Sequence, residues 1–162
     1  MTIEDTHVYP WQNEVPLMLS SLKIKRILNQ CSSDFDPVDI RYRCPPEPWL
    51  VDKVGEEYQQ QAFNNGIRAY HKEDWDCDER AMLYCVVARA VHRNEIWSPY
   101  CGLAVGLVAY YIDGDPQRGH AICWAVADRD GKPVVVFVDP GEEPTLVKLS
   151  DKEIKSLNRF YI

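Results

Sequence analysis

The sequence predicts an α+β fold. Segments whose apolar residues recur at helical spacing come first, short β-branched and aromatic runs come last, and turn-forming residues separate them. With 162 residues, 46% of them hydrophobic, the chain suits one domain with a buried core. The organisation is read as a single domain over 1–162, made of an N-terminal helical extension (1–47), a core (48–141) and a C-terminal segment (142–162).

Leu17, Leu19, Leu22, Ile24, Ile27 and Leu28 follow Pro16 at roughly helical spacing, and NQCSSDFDP (29–37) then supplies turn formers. This predicts a first helix near 15–30. CPPEP (44–48) is not helical inside, yet Pro48 suits the first turn of a second helix, because proline lacks only an N–H that the first turn leaves unpaired. Trp49, Leu50, Val54, Tyr58, Ala62 and Phe63 share one face of it, and NNG (64–66) weakens or ends it. After DWD comes CDERAMLYCVVARAVHRNE, strong helix formers with a wide apolar surface through Ala81, Met82, Cys85, Val86, Ala88 and Val91. This is the predicted central helix. Asp76 followed three residues later by Glu79 has the form of a capping box with a carboxylate at the cap, which puts Cys77 at the first helical position.

From there the periodicity shortens. CGLAVGLVAYYI (101–112), GHAICWAVAD (119–128) and KPVVVFVDP (132–140), separated by DGDPQR and DRDG, predict antiparallel strands. Ser150 with Glu153 caps a short helix or a docked tail at the end. Trp124 and Tyr110 read as core aromatics.

Twenty-five acids against 18 bases give a net charge of −7, with no Lys/Arg-rich block. Nucleic acid and anionic membrane are therefore excluded as partners. The N-terminus MTIEDTHVYPWQNEVP has acids and prolines where an export leader carries basic and then apolar residues, and the longest apolar run, 101–112, is too short and glycine-rich to span a bilayer as a helix. A cytoplasmic protein is expected. The six cysteines show no CxxC spacing, so neither a disulfide framework nor a structural zinc is predicted.

The chemical signal lies in DWDCDERA (74–81), where a thiol sits among acids. A thiol at a helix N-terminus faces unpaired N–H groups and the positive end of the macrodipole, which favour the thiolate, while Asp76, Asp78 and Glu79 suit the same end as capping residues. A nucleophile would also need an imidazole. His7 lies in a polar terminus, His71 in a loop, and His92 near a helix C-terminus, where a positive ring is favourable in any case. His120 differs: it opens an apolar strand directly after Gly119, where a backbone or ligand comes close. If Asp130 and Gly131 are the central residues of a hairpin turn, paired positions sum to 261, Ile122 opposes Asp139, and His120 and Asp139 are diagonal neighbours on one face. Cys123 alternates to the opposite face. Taken alone, Cys77 reads better as a small buried residue, and only its combination with His120 and Asp139 favours the nucleophile.

The ordered set of Cys in DWDCDERA, His in GHAICWAV and an acid in VFVDPG resembles the papain/transglutaminase-like cysteine peptidase family over residues 48–141. It is similar to the papain-like C-terminal domain of certain fungal agglutinins and related bacterial and phage proteins. The resemblance implies a papain-like fold with the cysteine-bearing central helix packed on an antiparallel sheet. It also implies a cysteine peptidase, a thiol hydrolase acting on a peptide or protein, with Cys77 as nucleophile, His120 as general base and acid, and Asp139 as the orienting carboxylate. Calcium held by Asp78 and Glu79 is a further implication, and it would neutralise acids beside the thiol. The implied chemistry is acyl transfer, with the Cys77 N–H as one oxyanion donor and Gln59, Gln60, Gln61 or Trp75 as candidates for another. DPG stands where the related pattern ends EPQ, so the role of that glutamine does not transfer. The same residues leave open a catalytically inactive binding or assembly protein, or transglutaminase or amidase chemistry. Oligomeric state is not legible.

Overall fold

The computed structural model describes residues 17–20, 23, 24, 27, 41–67, 76–95 and 101–161. In chain order the elements are β1 (Leu17–Ser20), β2 (Arg41–Cys44), a π-helical turn (Trp49–Lys53) that continues as α1 (Val54–Asn64), α2 (Cys77–Arg93), β3 (Gly102–Leu103), β4 (Val105–Tyr111), β5 (Gly119–Arg129), β6 (Lys132–Asp139), β7 (Thr145–Val147), α3 (Asp151–Lys155) and β8 (Asn158–Tyr161). The strands form a three-stranded sheet, β1-β2-β3, and a five-stranded antiparallel sheet ordered β7-β6-β5-β4-β8. The class is α+β.

β5 is the spine of the larger sheet, and its alternation explains how two layers pack on it. Cys123, Ala125 and Ala127 face a core built with α1 and α2, where small side chains let a helix lie close. Ile122, Trp124 and Val126 face the other core, with Leu19, Tyr42, Val108 and Phe137. The β5–β6 hairpin turns at Asp130 (φ 54°) and Gly131 (φ 75°), the two positive φ values of a type I′ turn. Its register runs from Arg129↔Lys132 to Cys123↔Val138, so paired positions do sum to 261.

The central helix begins at Cys77 with both halves of the Asp76/Glu79 capping box formed. The helix before it ends as expected, at Asn65 and the left-handed Gly66 (φ 74°). The terminal Ser150/Glu153 box is also present. The first helix near 15–30 needs correction. Leu17–Ser20 is a strand paired with β2, with Leu19 buried and Met18 exposed, a period of two that the leucine count concealed. Lys23, Ile24 and Ile27 are helical, and the rest of that stretch lies outside the described residues. The extension is thus not simply helical, since β1 and β2 belong to it. Among the described residues, no helix is long and apolar enough to cross a membrane.

Glu95, just beyond α2, ties the small sheet to the helices. Its carboxylate receives the buried Arg43 guanidinium of β2, the Trp49 indole N–H at 2.7 Å and the Lys53 ammonium at 3.3 Å, and Arg43 also lies over the Trp49 ring at 5.1 Å. Replacing Glu95 by Ala would leave a buried cation unpaired. The expected cost is about 3–5 kcal/mol, read as a lowered urea midpoint, with Glu95→Gln losing less because it still accepts from Trp49.

Candidate functional site

The three residues singled out by the sequence meet at one end of the larger sheet. The cap sets Cys77 at the tip of α2, and its Sγ accepts the Ala121 backbone N–H at 3.3 Å, so the helix start is held against the beginning of β5. His120 precedes that amide. Its Nε2 lies 3.0 Å from Asp139 Oδ2, the diagonal pairing that the hairpin register requires, and its ring meets the edge of Tyr110, its partner on β4, with centroids 5.7 Å apart. Asp139 Oδ1 accepts the Gly141 N–H at 3.2 Å.

The charges follow from these contacts. The hydrogen bond to Asp139, then contact with the Cys77 thiol, raise the His120 pKa to about 9 against the opposing effect of burial. The same hydrogen bond holds the Asp139 carboxyl below the usual range. The imidazolium is therefore the positive partner that an acid-crowded sulfur lacks within its own segment. The Asp76 carboxylate lies against the Asp78 and Glu79 carboxyls and pushes both upward, while its own pKa is lowered by bonds to those groups.

Cys77, Arg80, His120, Asp139, Gly141 and Glu142 line a cleft of about 230 Å³. Two larger grooves, of about 590 and 510 Å³, are lined by neither Cys77 nor His120. Arg80, Gly141 and Glu142 were not foreseen in this role. Arg80 was legible, because a residue three beyond Cys77 shares its helix face. Gly141 and Glu142 arrive through the turn after β6.

The other candidates are placed as follows. Gln60 and Gln61 bond Asn64 and Glu57 within α1, and Gln59 donates to the Glu142 carbonyl at 3.4 Å. His92 is buried, with its Nε2 3.0 Å from the Cys101 carbonyl. Cys44, Cys85 and Cys123 are buried free thiols, and Cys123 packs beneath α2 with its Sγ on the Ala81 carbonyl at 3.2 Å. His7, Cys31, His71 and Trp75 lie outside the described residues. For a cation, Asp76, Cys77 and Asp78 each bring a ligand atom within 4.8 Å of the others. Glu79, expected to share calcium with Asp78, accepts the Asp76 N–H at 3.3 Å. Calcium takes about 6–8 oxygen ligands, and among the described residues this group offers two carboxylates and a sulfur.

No family model matches the chain, and no curated protein sequence matches it. Among solved structures it is similar to Polyporus squamosus lectin bound to the human-type influenza-binding epitope Neu5Aca2-6Galb1-4GlcNAc, with a TM-score of 0.62 and 17% identity over 90% of this chain and 48% of that one. It is similar also to PSL1a in complex with E64, with a TM-score of 0.61 and 17% identity over 90% of this chain and 49% of that one. The chain shares a fold with about half of each.

These findings correct the expected membership of the papain/transglutaminase-like cysteine peptidase family. The fold is shared with about half of Polyporus squamosus lectin, and no family model matches to support a peptidase. The cysteine peptidase function, the hydrolase activity and the peptide substrate that came with that membership fall with it. The physical reason is that a thiol, an imidazole and a carboxylate brought together make a polar, partly charged cleft, and such a cleft does not by itself specify a reaction.

The His120 pKa has a consequence for stability. It lies above the ordinary 6.5, so the imidazolium's stabilisation is complete below about pH 6.5 and is lost as pH climbs through about 9. Urea midpoints of the wild type should fall over that window, and those of His120→Gln should fall less.

Proposed function

We propose that this chain is a ligand-binding protein that holds the end group of a glycan, or of a similarly polar ligand, in the cleft over Cys77, His120 and Asp139. The observation that carries this reading is the convergence of those three side chains in a single cleft. Support comes also from the fold shared with a lectin solved with a trisaccharide. A protonated His120 donates, while the Asp139 and Glu142 carboxylates accept, which matches the paired donors and acceptors of sugar hydroxyls. A cleft of about 230 Å³ is smaller than the roughly 300–1,000 Å³ that encloses a drug-sized ligand, so it admits one ring or a chain end rather than a long segment. Because the chain spans about half of each matching structure, the glycan class belongs to this proposal and not to the likeness itself.

The test is a titration with Neu5Aca2-6Galb1-4GlcNAc and, separately, with E64, followed by amide NMR shifts and intact mass. Saturable shifts at Ala121 and Gly141 with the trisaccharide, lost in His120→Ala, are expected. Shifts with E64 alone would keep the cleft as a ligand site and remove the glycan class. No shift at these amides with either compound at millimolar concentration would overturn the proposal. Repeating the titrations with calcium and with chelator checks whether the Asp76–Asp78 segment takes part.

A further inference from the structure

Arg80 is a buried cation that the cleft's donors and acceptors do not account for. It is 6% exposed, and its Nε has no hydrogen-bond partner among the described residues. One guanidinium nitrogen donates to the Gly141 carbonyl, which also accepts from Tyr58 Oη at 3.3 Å. Gly141 has φ 43°, in the left-handed region that favours glycine, so the backbone reverses there and its two polar groups serve different partners. The carbonyl goes to Arg80 and Tyr58, and the N–H goes to Asp139 Oδ1 at 3.2 Å. Asp139 Oδ2 then meets His120 Nε2 at 3.0 Å.

We infer that Arg80 is a positioning residue: by clamping the Gly141 carbonyl it fixes the turn after β6, and through the Gly141 N–H it fixes the Asp139 carboxylate against His120. The inference rests on the reading of this cleft as the site, and it assigns the control of that site's proton to a residue one helical turn from the sulfur. Burying a guanidinium is costly unless it is well bonded, so its place here is understandable if it fixes something else. Tyr58 supports the same carbonyl from α1, but as a neutral donor it supplies less than the charged one.

The groups facing the His120/Asp139 pair are known from each packed element. α2 presents Cys77 and Arg80, α1 presents Tyr58, β4 presents Tyr110 and β5 presents Cys123, while Glu142 of the turn after β6 lines the same cleft. Arg80 lowers the Asp139 pKa, after the larger effects of His120 and the Gly141 N–H. Without the clamp, Asp139 loses both its fixed geometry and part of the positive field that keeps it ionised, and His120 loses the partner that holds its proton.

The test is the pH titration of the His120 ring by NMR, in ligand-free protein. Its outcome does not depend on whether any glycan binds, and a failed glycan titration leaves it unaffected. In Arg80→Met the His120 proton affinity should drop by about tenfold or more, a downward shift of about one pH unit. Arg80→Lys, which restores a cation, should recover part of it. A purely structural role would move the unfolding midpoint in both variants and leave the titration alone. Gly141→Ala, which strains the same turn, should lower the His120 midpoint in the same direction and gives the answer should Arg80→Met fail to fold. A folded Arg80→Met with the wild-type His120 midpoint would overturn the inference, and so would an unchanged midpoint in Gly141→Ala where Arg80→Met is unfolded.

Discussion

The register of one hairpin governs most of what is distinctive here. The type I′ turn at Asp130 and Gly131 sets the pairing of β5 with β6, and a slip of one residue would send every side chain of β6 to the other face. That pairing brings Asp139 diagonally opposite His120, and the same alternation places Cys123, Ala125 and Ala127 under the central helix. Because those side chains are small, α2 approaches closely enough for the sulfur at its tip to accept a backbone N–H from β5. A turn of two residues thus determines both the sheet and the geometry of the cleft.

The electrostatics of the cleft depend on that convergence. Within its own segment Cys77 has acidic neighbours, and the carboxyls of Asp76, Asp78 and Glu79 disturb one another. Relief comes from the sheet, where His120 is held protonated chiefly by Asp139. Asp139 is in turn held by His120, by Gly141 and by the field of Arg80. The helix supplies sulfur and guanidinium, the strands supply imidazole and carboxylate, and neither layer makes the site without the other.

A shared fold constrains function less than the cleft does. The likeness to Polyporus squamosus lectin is at 17% identity and covers half of that chain, so it speaks to architecture. What a ligand would meet is a small opening lined by Asp139, Glu142, His120, Cys77, Gly141 and the buried Arg80. That composition suits a compact polar group with both donors and acceptors.

Local chemistry was enough to place much of this molecule from sequence. The capping box at Asp76, the stop at Asn65 and Gly66, the hairpin and its register, and the Ser150 cap each rest on residues within a few positions of one another, where backbone preference dominates. The meeting of Cys77, His120 and Asp139 was legible because strand alternation turns sequence spacing into direction. The strand at Leu17–Ser20 was not, since leucines suit helix and strand alike and only pairing with the distant RYRC segment decides between them. The buried state of His92, the union of Arg43, Trp49 and Lys53 on Glu95, and the hold of Arg80 on Gly141 were likewise settled by tertiary structure. Each joins residues far apart in the chain, and a buried charge finds its partner only once the layers have closed around it.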